Sequence, residues 1–223
     1  SIEIVEEFAR RDPIVRLVRN ERNLGVVGTF NLGLKEASGD YVFFPASDDK
    51  VLPGLLAQSM NLLKQNPRAG ICTALPLTLS ESGENLGPRR IPIISRTPCF
   101  LTPSGALASL RRYDGWFTGN TAIYKRESLL EAGGFLPELG PYSDGFACRV
   151  LALKYGACFI PEPLAMTRIG QGRFSQTTAA NPDIALEIMR NASRLMRSTY
   201  SDVFPEDWVD GWERRWLCTL GSN

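Results

Sequence analysis

Histidine is absent from the 223-residue sequence. That absence removes Ser-His-Asp and Cys-His nucleophilic mechanisms and His-ligated zinc together, leaving acid–base work to carboxylates, Lys, Tyr or Cys. Cysteine is sparse: Cys72, Cys99, Cys148, Cys158 and Cys218 are scattered, odd in number and without a C-x-x-C pair. This speaks against a disulfide framework and a thiolate zinc site, and for a reducing compartment. No signal-peptide pattern opens the chain, and no apolar run approaches the ~18 residues that cross a bilayer, so a cytoplasmic location, peripheral to a membrane at most, is expected. Charge excess is missing as well. A net charge of +1 and no basic run interleaved with aromatics argue against a nucleic-acid partner. What is present, 43% hydrophobic and 22% charged residues, suits a globular chain able to bury a full core. The first residues fall inside a helix-like pattern without an initiator Met, so the sequence reads as part of a longer chain.

Hydrophobic periodicity organises the rest. Ile2, Val5, Phe8 and Ala9 predict a helix over 1–11, and Ile14 to Val18 a short strand. Val27, Phe30, Leu34 and Ala37 predict a helix closed by Gly39, and Tyr41 to Phe44 a buried strand ending at Pro45-Ala46-Ser47-Asp48-Asp49. Pro53 opens a helix that ends near Pro67, and Gly70 to Leu75 reads as a strand. Residues 80–116, rich in Gly and Pro, read as loop, a lid or specificity segment. Then follow a strand at 121–124, a helix from Arg126 capped by Gly133-Gly134, a helix over 143–155 and a strand over 157–161. An amphipathic helix over 182–199 precedes a tail with Trp208, Trp212 and Trp216 on one stripe. Such alternation predicts an α/β domain with a largely parallel sheet, whose sites gather at the carboxyl ends of strands.

Asp48 and Asp49 lie at such an end. Two carboxylates held side by side repel, so a divalent cation with a taste for hard oxygen, Mg or Mn, is a natural resident. The same residues also suit an ordinary turn, where Asp is favoured; spacing alone leaves both readings open.

Two blocks resemble family 2 glycosyltransferases. The first is Asn23-Leu24-Gly25, Asn31, Ala37-Ser38-Gly39-Asp40-Tyr41, Ser47-Asp48-Asp49 and Pro53. The second is Gly119-Asn120, Arg126, Leu130, Gly133-Gly134-Phe135, Ser143-Asp144, Arg149 and Gly156, continued by Pro161, Pro163-Leu164, Arg168 and Ser175. The resemblance implies a GT-A-like, Rossmann-related mixed α/β sheet flanked by helices. It implies a domain over 1–176, with a nucleotide-sugar half over 1–75 and an acceptor half over 76–176, and a C-terminal helical segment over 177–223. It implies sugar transfer from a nucleoside diphosphate to a hydroxyl of a saccharide or lipid-linked acceptor, as in polysaccharide biosynthesis. Asp144 then corresponds to the catalytic base, its alternative being a helix N-cap. Asp48 and Asp49 correspond to the metal and diphosphate site, and Asn23, Gly25 and Asn31 lie on the donor side.

Three departures stand out. Ala46 replaces the first acid of the D-x-D element, Phe30 replaces an Arg, and Gly170 or Gln171 stands where a metal-binding His often follows the Arg corresponding to Arg168. They keep a degenerate nucleotide-sugar binder in view as an alternative, while the Trp stripe and the weakly patterned middle region keep an unrelated α/β interaction domain beside it. The Trp stripe is read as a C-terminal helix docking on the domain, with a membrane-surface or homo-oligomer contact as the alternative.

Overall fold

The computed structural model describes residues 2–170 and 181–221. Helix α1 (Ile2–Arg11) forms as the periodicity predicts, yet none of its residues is buried. The strand expected at Ile14 to Val18 does not form: the segment is irregular, with Ile14 86% and Val18 50% exposed. An apolar run becomes a strand only where neighbours take up its N–H and C=O groups, and no described strand lies beside this one.

Helix α2 (Gly25–Glu36) buries Val27 and Leu34. Strand β1 (Tyr41–Phe43), strand β2 (Lys50–Val51) and helix α3 (Leu55–Gln65) lead to the long strand β3 (Ile71–Leu79). The region read as loop contains strand β4 (Asn85–Pro88), strand β5 (Cys99–Leu101) and helix α4 (Pro103–Tyr113). Pro103 misleads as a breaker because it occupies the first helical turn, where a missing N–H costs nothing. Thr102 caps that helix by accepting from the Gly105 N–H, and Ala106 and Leu110 are fully buried. Strand β6 (Ile123–Lys125) and helix α5 (Arg126–Glu131) follow. The Gly134 N–H closes α5 on the Leu129 carbonyl, with Gly133 and Gly134 at positive φ. Helix α6 (Ser143–Tyr155) and strand β7 (Ala157–Arg168) complete the sheet.

The sheet is mixed, as the family resemblance implies, and not largely parallel. Its order is β1-β6-β3-β7-β2, with β4 on β3 and β5 on β7; of these pairs only β3–β7 is parallel. Both central strands outrun their expected lengths. Pro161 and Pro163 read as an end, but the ladder shifts register between Ala74↔Ile160 and Leu75↔Pro163, and the irregularity absorbs residues that cannot donate. Both strands therefore continue to the acid turn.

Helix α7 (Pro182–Arg197) and helix α8 (Glu206–Gly221) pack on each other, and α7 lies against the segment Pro137–Tyr142 that leads into α6. Arg197 joins them through Glu206, Asp210 and Glu213. Trp208 and Trp212 are 2% and 0% exposed, and Trp212 and Trp216 stack on Tyr142. Trp208 and Trp212 thus dock α8 on the domain with their indoles in the core, while Trp216 is partly buried. Among the described residues no helix is long and apolar enough to cross a membrane. The domain boundary expected at 176 and Ser175 lie outside the described residues.

Candidate active site

The acid turn is held from two sides. Asp49 N–H closes it on the Ala46 carbonyl, and β2, which follows directly, pairs with Ala165 and Met166 of β7. At the end of β7 the Arg168 N–H donates to Asp49 Oδ1 at 2.9 Å, while its Nε donates to the Asp48 carbonyl at 3.0 Å. The same guanidinium also donates to the Ser80 and Glu81 carbonyls. Arg168 therefore fixes the backbone of the turn. Gly170, at the place of the missing histidine, packs against the Glu81 side chain, and Gln171 lies outside the described residues.

Asp144 is not an N-cap. The N-cap position of α6 is Tyr142, which makes no side-chain cap, and Asp144 sits inside the first turn with Oδ1 accepting from the Gly145 N–H at 2.7 Å. The positive end of the helix faces it. Its other oxygen lies against Gly119: a Cβ there would stand 2.5 Å from Oδ2. Burial pushes the Asp144 carboxyl above the ordinary carboxylate range, opposed by the Gly145 N–H, then by the charges of Arg149 and Arg89.

Asp48, Asp49 and Asp144 line one cavity of about 810 Å³, although about a hundred residues separate the pair from the third. Phe30 and Ala46, the two substitutions noted from the sequence, line it too. The other expected donor residues do not. Asn23 Oδ1 accepts from the Gly25 N–H, an Asx turn that starts α2 with Gly25 at φ +68°. Asn31 binds the Phe135 backbone twice, through Nδ2 to the carbonyl at 2.7 Å and Oδ1 from the N–H at 2.9 Å. Both of its amide ends are engaged, so it ties α2 to the turn after α5. Asn31→Ala should therefore cost about 1–3 kcal/mol of stability through the stranded Phe135 amide groups, with transfer per folded molecule unchanged. Denaturant unfolding beside an activity assay checks both.

Two wall residues carried weak sequence signals. Arg89 lies in the stretch read as loop. Asn120 donates to Thr167 Oγ1 at 2.8 Å while its buried Oδ1 has no hydrogen-bond partner among the described residues. A register position on a loop or a cross-sheet pair leaves no trace in periodicity.

Among the described residues no group of three metal-capable side chains exists. The acid turn supplies two carboxylates, one oxygen of which accepts from Arg168, and Ala46 adds none. This donor set is too small to retain a cation by itself, but its hard oxygens suit Mg or Mn that shares its shell with a diphosphate.

The profile described as Glycosyl transferase family 2 matches residues 1–131. An uncharacterised protein of Mycobacterium tuberculosis is 28% identical over 160 residues, 69% of this chain and 50% of that protein. A protein of Haemophilus influenzae named an uncharacterised glycosyltransferase is 36% identical over 66 residues, 30% of this chain and 26% of that protein. The chain thus spans half or less of the curated relatives it matches. In three dimensions it is similar to Staphylococcus aureus TarS 1–349 in complex with UDP-GlcNAc, with a TM-score of 0.63, 17% identity, and coverage of 88% of this chain and 54% of that one. It is also similar to a mannosyltransferase from Pyrobaculum calidifontis in complex with GDP-Man and Mn2+, with a TM-score of 0.56, 17% identity, and coverage of 99% and 62%. At such identity the likeness speaks for the fold alone.

Proposed function

The chain belongs to glycosyl transferase family 2, and from that membership we propose that it transfers a sugar from a nucleoside diphosphate to an acceptor hydroxyl, with inversion. The observation that carries this reading is the shared cavity of Asp48, Asp49 and Asp144. Asp144 accepts the proton of the acceptor hydroxyl. The hydroxyl oxygen then forms its bond to the anomeric carbon from the face opposite the diphosphate, which leaves with the electrons of the broken C–O bond. Raised proton affinity suits a carboxylate for this task, since it must hold the proton it takes. Asp48 and Asp49 would hold a divalent cation, whose charge stabilises the departing diphosphate. The acceptor is a saccharide or a lipid-linked acceptor, and a cavity of about 810 Å³ has room for donor and acceptor groups together.

Calorimetric titration of the full-length protein with UDP and GDP, with and without Mn, tests the donor side. Asp48→Asn should weaken nucleotide binding by about tenfold or more in the presence of Mn and far less in its absence. Equal effects with and without metal would remove Asp48 from the metal site. Ala46 supports a second reading, a nucleotide-sugar binder without turnover; release of UDP or GDP from a matching donor and acceptor distinguishes the two.

A further inference from the structure

Arg149 is the one charged side chain among the buried residues of α6, 8% exposed, and its two terminal nitrogens are taken up by backbone while its buried Nε has no hydrogen-bond partner among the described residues. Its guanidinium donates to the Gly145 carbonyl at 2.9 Å, one residue past the base, and to the Asp114 carbonyl at 3.1 Å. Its Cζ lies 5.2 Å from the centre of the Tyr142 ring, at the start of the same helix. Two glycines leave the space: a Cβ at Gly115 would stand 2.7 Å from one terminal nitrogen, and a Cβ at Gly145 would stand 3.2 Å from the other.

Asp114 is itself held out of the ordinary. It is the single non-glycine residue at positive φ among the described residues, at +61°. A backbone so strained persists where its surroundings over-determine it. Its carboxylate faces Arg149 at 3.9 Å and accepts from Arg215 of α8 at 3.1 Å. The chain of contacts runs from the C-terminal helix through Asp114 and Arg149 to the turn that bears Asp144. None of Arg149, Arg215 and Asp144 falls within residues 1–131, the stretch that the family profile matches.

We infer that Arg149 is a positioning residue for Asp144, fixing the first turn of α6 and presenting a permanent charge to its carboxylate, and that Arg215 secures it by holding Asp114. The inference rests on the reading of Asp144 as the base. Other groups facing Asp144 are the cation Arg89 and the neutral Tyr124, Tyr142 and Cys148. Burial pushes Tyr142 and Cys148 up to about 12, so neither charges near neutrality. Arg89 sits on an exposed loop, which makes Arg149 the fixed source of positive charge.

The test is the pH dependence of transfer in the full-length protein. A base must be ionised, so activity falls as pH drops through the pKa of Asp144. Removing a cation raises that pKa further. Arg149→Met should therefore move the acid limb up by about one pH unit or more, with transfer recovering toward alkaline pH. Arg149→Lys should keep the limb in place and lower kcat by about tenfold, because one ammonium cannot serve both carbonyls. Arg215→Gln, at a half-exposed site, should move the limb in the same direction as Arg149→Met and by less, with donor KM unchanged. A role confined to stability would lower activity equally at every pH and leave the limb fixed in all three, overturning the inference. If Arg149→Met fails to fold, wild-type kcat in Arg149→Lys or an unmoved limb in Arg215→Gln overturns it equally. Asp144→Asn separates this failure from that of the base reading: an active Asn variant removes the base, whereas an inactive one beside unshifted arginine variants removes only the positioning.

Discussion

Asp144→Asn is expected to lower transfer by about 10²–10⁴-fold, the usual worth of a positioned general base, while fold and donor affinity stay as in the parent. The amide oxygen can still accept from the Gly145 N–H, the backbone donor the Asp144 carboxylate meets at 2.7 Å. On the proposed reading the donor is held elsewhere in the cavity, around Asp48 and Asp49. Because burial is the dominant influence on the Asp144 carboxyl and raises its pKa, the native state binds this proton more tightly than the unfolded chain does. Any stability this group contributes is therefore present at low pH and lost as pH rises through the raised value. The neutral Asn variant lacks that decline, and it should be at least as stable as the parent at neutral pH. Transfer and thermal unfolding of the two proteins, each followed against pH, decide the matter. Wild-type activity in Asp144→Asn would exclude it as the base. Of the other acids, Asp114 and Glu138 are not among the residues that line the cavity, and Asp48 and Asp49 are the two that share it with Asp144.

The sequence makes parts of this site legible for physical reasons that differ residue by residue. Helix α6 shows both of its ends, because Gly156 takes up positive φ after Tyr155 and Ser143-Asp144 opens the first turn. The acid pair shows only through the block it belongs to, because two carboxylates at a strand end suit an ordinary turn as well as a cation. Periodicity reports burial, not partnership, and there the reading parts from the structure. Ile14 and Val18 have the spacing of a strand and no neighbour among the described strands. Asn31 sits in a matched block, yet its amide serves Phe135, 104 residues away. Pro103 and Thr102 look like loop and make a helix start, since what decides is whether Ala106 and Leu110 find a core to enter. Gly119 enters the sequence reading only as part of a resembling block, and Gly115 and Gly145 leave no signal there. Their use is the space they leave for Arg149 and Asp144, which only three dimensions reveal.

Gly119→Ala turns that last point into the second large effect. The backbone at Gly119 does not require a glycine, because its φ is outside the positive region. The added methyl would stand 2.5 Å from Asp144 Oδ2 and 3.6 Å from its Cγ, so the obstacle is the end of one side chain. The carboxylate can rotate or shift to make room, and the stability loss should stay near the low end of the about 1–3 kcal/mol typical of overpacking. What cannot be kept is the position of the base. A displacement on the order of 1 Å from the reacting hydroxyl lowers the rate by up to about 10²-fold, so kcat should fall by about 10–100-fold with donor KM unchanged. The cause is checked by combining the change with Asp144→Asn. If the methyl acts by displacing the base, it has little left to disturb once the base is gone, and the double variant should match Asp144→Asn alone within about threefold. Full multiplication of the two losses would mean that Gly119 acts on the cavity by another route, and the close approach to Asp144 would then be packing without catalytic consequence.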